Sequence, residues 1–187
     1  MSAKAQAAIF IDRDGTLIED RDYLHKPEEV VFFPGALQAL AAASRAGFVI
    51  VMVTNQSGVG RGYFTMADVE NVHQYINAEL AKEGVAIARI YTAPEAPNQP
   101  SRGRKPSPAF LHDARDELGL DLSQSFMIGD KWIDVEAGWN AGVKQSILVR
   151  TGYGAEVERQ RINDLNGAMV EENLTSAITR ILTTKQG

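Results

Sequence analysis

The 187-residue chain contains no cysteine. Disulfides, thiolate catalysis and cysteine-bound zinc are excluded from the outset. Aromatic residues are sparse at 7%, and no apolar run approaches the length that crosses a bilayer. The opening stretch, MSAKAQAAIF, lacks the apolar core that a leader peptide needs. Positive charge is in deficit, with 19 Lys and Arg against 24 Asp and Glu and a net charge of −5. That balance argues against a broad nucleic-acid or anionic-membrane surface. The expectation is a cytoplasmic monomer with no nucleic acid and no membrane among its partners. What is present, 44% hydrophobic and 23% charged residues, is the composition of a globular protein. The length suits one domain spanning residues 1–187.

Short apolar runs alternate with helical patterns. Residues 7–11 (AAIFI), 48–53 (FVIVMV), 88–92 (ARIYT), 125–129 (SFMIG) and 146–149 (SILV) read as strands. Most are apolar throughout, as strands covered on both faces are. A helix follows Pro34, with Leu37 and Leu40 on one face and Gly47 as its stop. The next opens on a Thr65–Asp68 capping box and carries Met66, Val69, Val72, Ile76 and Leu80 at helical spacing. A third has Ser107 as N-cap, Pro108 in its first turn and Gly119 as its end. A short helix ends near Gly142. Residues 155–187 read as a strand or turn and then a covering helix over 173–183.

This alternation implies an α/β architecture, a parallel sheet with helices on both faces. Ligands then bind beyond the carboxyl ends of the strands. The connections 18–33 and 92–106 are long for a compact domain, which points to a role at the site. Neither is long enough to hold a separate cap domain. The glycines at 58, 60 and 62 match no dinucleotide or P-loop signature, and a tight, flexible turn explains them as well as a phosphate cradle does.

Directly after the first strand, Asp12-Arg13-Asp14-Gly15-Thr16 sets two carboxylates one residue apart. Like charges at this spacing repel unless a cation or a reaction compensates them. A calcium loop needs a third oxygen ligand before its glycine and a later glutamate, and neither is in place. Asp-x-Asp-Gly-Thr after a first strand resembles motif I of the haloacid dehalogenase (HAD) phosphatases. The resemblance implies that Asp12 is a nucleophile forming an aspartyl-phosphate and that Asp14 is the general acid and base. A carboxylate attacks phosphorus covalently, and a neighbouring acid neutralises the departing alkoxide.

Three further stretches fit that frame, each near a strand end. Thr54 in MVTNQSG stands where motif II holds the phosphoryl oxygens, with Asn55, Gln56 and Ser57 as neutral donors to substrate. In RGRKPSP, Lys105 corresponds to the charge-neutralising lysine of motif III, and Arg104 offers a planar fork for phosphate or sugar. In GDKWIDVEAG, Asp130 would ligate Mg2+ together with the Asp12 carboxylate and the Asp14 backbone carbonyl. Asp134 would steady the loop behind these ligands, and Lys131 would contact substrate. The implied fold is a three-layer, Rossmann-like HAD domain with a central parallel sheet and no cap.

Taken together, DRDGT, MVTNQSG, RGYFT, RKP and GDKWIDVEAG are similar to the D-glycero-D-manno-heptose 1,7-bisphosphate phosphatases. So is DYLHKPEEVVFFPGA, in the position of that family's substrate-facing loop, which adds Asp20, Arg21, Asp22 and Tyr23 as substrate contacts. The implied reaction removes the 7-phosphate of a heptose bisphosphate in synthesis of the bacterial heptose precursor of lipopolysaccharide. Many members hold structural zinc through Cys-x-His and Cys-x-Cys pairs; here Thr92, Pro94, Ser101 and Gly103 occupy those places. A zinc-free loop is the expectation, with Pro94, Pro97 and Pro100 limiting its unfolded freedom. Three rivals share some or all of these motifs. A histidinol-phosphate phosphatase would want acids such as Asp20, Asp22, Glu28 or Glu29 for its cationic substrate. A polynucleotide 3′-phosphatase would want a basic groove. A non-catalytic phosphosugar-binding protein has no use for a nucleophile beside a proton donor.

Overall fold

The computed structural model describes residues 5–165 and 167–184. The outermost residues of the expected 1–187 domain therefore lie outside the described residues. Strand β1 (Ala8–Ile11) is buried along its whole length and sits centrally. After it come helix α1 (Ala36–Arg45), strand β2 (Val49–Asn55), the short helix α2 (Ser57–Gly60), helix α3 (Met66–Lys82) and strand β3 (Ile87–Ala93). Helix α4 (Ala109–Leu118), strand β4 (Phe126–Gly129), helix α5 (Trp132–Ala141) and strand β5 (Gln145–Val149) continue the alternation. Helix α6 (Gly154–Arg161), strand β6 (Met169–Glu171) and helix α7 (Leu174–Thr184) complete the described chain.

All six strands pair in parallel, in the order β3-β2-β1-β4-β5-β6. Successive strand residues face opposite sides, so each strand feeds two cores. Ile9, Ile11, Ile50 and Met52 pack with Leu40 of α1, Val72 and Ile76 of α3, and Ile178 of α7. Their neighbours Ala8, Phe10, Val51 and Val53 pack on the other face with Leu111 and Ala114 of α4. That is the three-layer α/β arrangement read from the apolar runs. Because the chain leaves β1 first to one side and later to the other, the sheet switches direction between β1 and β4. Ligand sites form beyond the carboxyl ends at such a point. No separate cap is inserted among the described residues, and none of their helices is long and apolar enough to cross a membrane.

The capping box of α3 is formed: Asp68 N donates to Thr65 Oγ at 3.3 Å, and Thr65 N donates to Asp68 Oδ2 at 2.7 Å. Helix α4 starts later than its sequence suggests, at Ala109, with Pro108 as its N-cap. Ser107 is not the cap, although its Oγ accepts from Ala109 N at 3.3 Å. The same hydroxyl donates to Arg102 O at 2.7 Å, which ties the helix to the loop before it. Residues 57–60 form a helical turn rather than a loose one. Helix α6 has no counterpart in the sequence reading.

Candidate active site

Asp12 follows β1, and its backbone N donates to Ile128 O on β4 at 3.0 Å. That bond draws the ends of β1 and β4 together, with Asp130 just beyond β4. Asp12, Asp130 and Asp134 can each offer an oxygen such that all three lie within 4.8 Å of one another. Three carboxylates this close need cations.

Lys105 supplies one. Its ammonium, only 2% exposed, lies 2.8 Å from Asp12 Oδ1 and 2.6 Å from Asp134 Oδ1, and donates to Val53 O at 2.8 Å. Val53 O takes one of its protons in a hydrogen bond, and the two carboxylates meet it as ion pairs. Burial opposes the charge, but Asp12 and Asp134 outweigh it and hold the Lys105 ammonium above its ordinary pKa. Asn55 fixes the lysine's backbone on both sides, accepting from Lys105 N at 3.0 Å and donating to Lys105 O at 3.2 Å. Asp134 Oδ2 accepts from Lys131 N at 2.9 Å and so closes the first turn of α5, while its buried Oδ1 has the Lys105 ion pair and no hydrogen bond.

Two carboxylates keep free valence. Asp12 Oδ1 also accepts from Arg13 N at 2.7 Å, whereas its Oδ2 has no hydrogen bond. Asp130 Oδ2 accepts from Tyr153 N at 2.9 Å, while its Oδ1 is buried without a partner. Glycine is required on both sides of Asp130. A Cβ at Gly15 (φ +79°) or Gly152 (φ +55°) would lie 2.2 Å from Asp130 Oδ2. Burial, then the charge of Asp12, push the Asp130 carboxyl up to about 8. Burial raises Asp12 to about 6 against the pull of Lys105.

Asp14 is arranged differently. Arg13 grips it with two bonds, Nε to Oδ2 at 2.9 Å and Nη2 to Oδ1 at 3.1 Å, and Gln56 Nε2 donates to Oδ2 at 2.8 Å. Burial works against its charge, but the Arg13 charge and these hydrogen bonds outweigh it and hold Asp14 below the usual carboxylate range. The same Gln56 amide donates to Thr54 Oγ1 at 2.8 Å, which leaves the threonine proton available.

Above these groups opens a cavity of about 250 Å³. Asp14, Asp20, Asp22, Tyr23, Asn55, Gln56, Ser57 and Lys131 line it, as the motifs lead one to expect. Leu24, Phe64 and Tyr153 line it without having been singled out. Lys131 spans the rim, with Nζ 3.0 Å from Asp20 Oδ2 and 4.9 Å from the centre of the Tyr153 ring. Two expected contacts fall elsewhere. Arg21 is exposed and pairs with Glu19 at 2.9 Å beside a neighbouring groove. Arg104 turns back on its own loop, where Nη1 donates to Glu95 O at 3.0 Å. The loop is also tied by Ser101 Oγ to Glu95 Oε2 (2.7 Å), Arg104 N to Ser101 Oγ (3.1 Å) and Ala96 N to Gln99 Oε1 (2.7 Å).

Arg13 is the buried charged residue at the site that sequence reasoning passed over. It is 1% exposed, and the one available signal was its place between two acids.

Comparisons with known proteins agree with this geometry. A family model described as HAD-hydrolase-like matches residues 103–177. The chain is 38% identical to the D-glycero-beta-D-manno-heptose-1,7-bisphosphate 7-phosphatase of Escherichia coli K12, covering 87% of this chain and 88% of that one. It is 44% identical to the D-glycero-D-manno-heptose-1,7-bisphosphate 7-phosphatase of Chlorobaculum tepidum, covering 79% and 80%. Its structure resembles the D,D-heptose 1,7-bisphosphate phosphatase of B. bronchiseptica, solved with magnesium and phosphate, at a TM-score of 0.86 and 31% identity over 95% of this chain and 99% of that one. This chain belongs to the D-glycero-D-manno-heptose-1,7-bisphosphate 7-phosphatase family of HAD hydrolases.

Proposed function

We propose that the protein is a Mg2+-dependent phosphatase that removes the 7-phosphate of D-glycero-D-manno-heptose 1,7-bisphosphate through an aspartyl-phosphate on Asp12, and that it works as a single domain. The observation that carries the reading is the unequal treatment of Asp12 and Asp14. Asp12 has one oxygen fixed by Lys105 and Arg13 N and one free, as a nucleophile requires. Asp14 is held at the cavity wall by Arg13 and Gln56, where a leaving oxygen or a water comes within its reach.

The donor set fits magnesium. Asp130 Oδ1 is a buried oxygen with no partner, Asp12 Oδ2 has no hydrogen bond, and the Asp14 carbonyl accepts none among the described residues. Hard oxygens with room for waters suit this ion. Six carboxylates (Asp12, Asp14, Asp20, Asp22, Asp130 and Asp134) face three cations (Arg13, Lys105 and Lys131), so the site alone would repel a phosphate. A divalent ion held by Asp12, Asp130 and the Asp14 carbonyl would offset two of those charges and would supply Lewis-acid polarisation of the phosphoryl oxygens. Asp12 would then attack phosphorus as the bond to the sugar oxygen breaks; Asp14, ionised in the free site beside Arg13, would first take a proton from solvent or from the phosphate monoanion and pass it to that oxygen. Asp14 next takes a proton from the water that hydrolyses the acyl phosphate, which restores the Asp12 carboxylate. Thr54 donates to a phosphoryl oxygen, and Lys105 contributes its charge beside Asp12. Glu95, Gln99 and Ser101 give the 92–106 loop internal ties, which supports a loop that needs no zinc.

Proton binding gives a prediction with a definite sign. Asp130 and Asp12 hold protons more tightly folded than unfolded, so their contribution to stability falls as pH rises from about 4 towards 8. With magnesium bound the carboxylates stay ionised without that penalty. The rise in Tm given by saturating magnesium is expected to be larger at pH 8 than at pH 5. Equal shifts at both would contradict Asp130 as a ligand.

Substrate choice is tested by kcat/KM with magnesium on the heptose 1,7-bisphosphate and on histidinol phosphate. The acids Asp20 and Asp22 at the cavity make the second compound the relevant competitor. A large preference for the sugar, with release from position 7, is expected. Preference for histidinol phosphate would keep the chemistry and overturn the substrate.

A further inference from the structure

Arg13 makes an unusual set of contacts for a residue buried in a sheet-end turn. Beyond its two bonds to Asp14, Nη2 donates to Gln56 Oε1 at 3.0 Å and to Leu24 O at 3.3 Å, and Nη1 lies 3.5 Å from His73 Nε2. These partners come from four places: the turn after β1, the 18–33 connection, the end of β2 and the middle of α3. His73 is 7% exposed, and burial followed by the Arg13 charge lowers it to about 4. The imidazole is therefore neutral, and its Nε2 can accept from Arg13. Gln56 closes a ring, since it accepts from Arg13 and donates to both Asp14 and Thr54.

Arg13 reaches the cavity wall, yet its Nε and Nη2 protons are taken by Asp14, Gln56 and Leu24, and only Nη1, 3.5 Å from His73 Nε2, keeps capacity to spare. A buried arginine whose planar fork meets one carboxylate fixes that group's plane as well as its charge. We infer that Arg13 is a positioning residue: braced by His73, Leu24 and Gln56, it sets the orientation in which Asp14 exchanges its proton with the leaving oxygen. The inference rests on the reading of Asp14 as general acid and base. It also gives α3 a place in the reaction, because His73 is its contact with Arg13. Proton transfer needs close alignment of donor and acceptor, so a tilted carboxylate loses rate although its chemistry is intact.

The test uses leaving groups. An alkyl phosphate needs its alkoxide protonated, whereas p-nitrophenyl phosphate expels a stable phenolate with little help. Arg13→Lys keeps the charge and loses the fork. It is expected to lose about 100-fold in kcat/KM on the heptose bisphosphate, the lower end of what general acid–base catalysis supplies. On p-nitrophenyl phosphate the loss is expected to stay within about 5-fold, because that leaving group draws little on general acid catalysis. Equal losses on both substrates, or no loss on either, would overturn the inference. Asp14→Asn, measured alongside, separates the two claims. If it shows the split and Arg13→Lys does not, only the inference fails. If it shows no split, the Asp14 reading fails first. Should Arg13→Lys not fold, His73→Leu removes one brace away from the cavity. A smaller split of the same sign is then expected, and its absence overturns the inference.

Discussion

Asp12→Asn is expected to remove about 10⁴-fold or more of the turnover, since an amide does not attack phosphorus and no second residue takes over a lost nucleophile. The fold should survive the change. Lys105 keeps Asp134 Oδ1 and Val53 O as partners, and one of three crowded carboxylates loses its charge. The Tm without magnesium is therefore expected to hold or rise while activity disappears. That pairing of an inactive and undamaged protein is the informative result. Activity within tenfold of the parent would remove Asp12 from the chemistry.

Lys105→Met reverses the pattern, harming fold and function together. It strands Asp134 Oδ1 and leaves Asp12 Oδ1 with only Arg13 N. Breaking one side of a buried ion pair typically costs about 3–5 kcal/mol. For a domain of this size that is a fall in Tm of roughly 10 °C. The lost positive charge at the reacting centre removes a further factor of about 100–1,000 in kcat. Thermal denaturation and steady-state rates read the two effects separately. An unchanged Tm would show that neither aspartate depends on the lysine.

The parts of the site that the sequence disclosed are those whose chemistry is concentrated in short motifs at strand ends. Asp12, Asp14, Thr54 and Asp130 each fall within a few residues of an apolar run, and a parallel sheet brings such ends to one edge. Strands β1, β2, β4 and β5 were legible for the same reason, being apolar on both faces. Helix α6 was not, because GAEVERQR carries no apolar stripe and only Gly154 of it is buried. It is held instead by ion pairs such as Arg150–Glu158 at 2.7 Å, which leave no periodicity to read. Strand β6 has three residues at the sheet edge, too few for an alternating pattern. Arg104 and Lys105 show the limit of spacing most clearly. They are neighbours in sequence, yet one turns to its own loop and the other is buried against two aspartates. Only the loop's hydrogen bonds decide which goes where. Arg13 was lost to a different cause, since a charged residue in a turn reads as solvated until its burial is known.

The central claim is covalent chemistry on Asp12, and acid quenching tests it most directly. The parent enzyme and Asp14→Asn would be mixed with the heptose bisphosphate and magnesium, quenched within the first turnovers and digested for peptide mass spectrometry. One phosphoryl group is expected on the peptide that carries Asp12, sensitive to hydroxylamine and more abundant in Asp14→Asn. A phosphoryl group on another residue, or none at any quench time while the parent enzyme turns over, would contradict it.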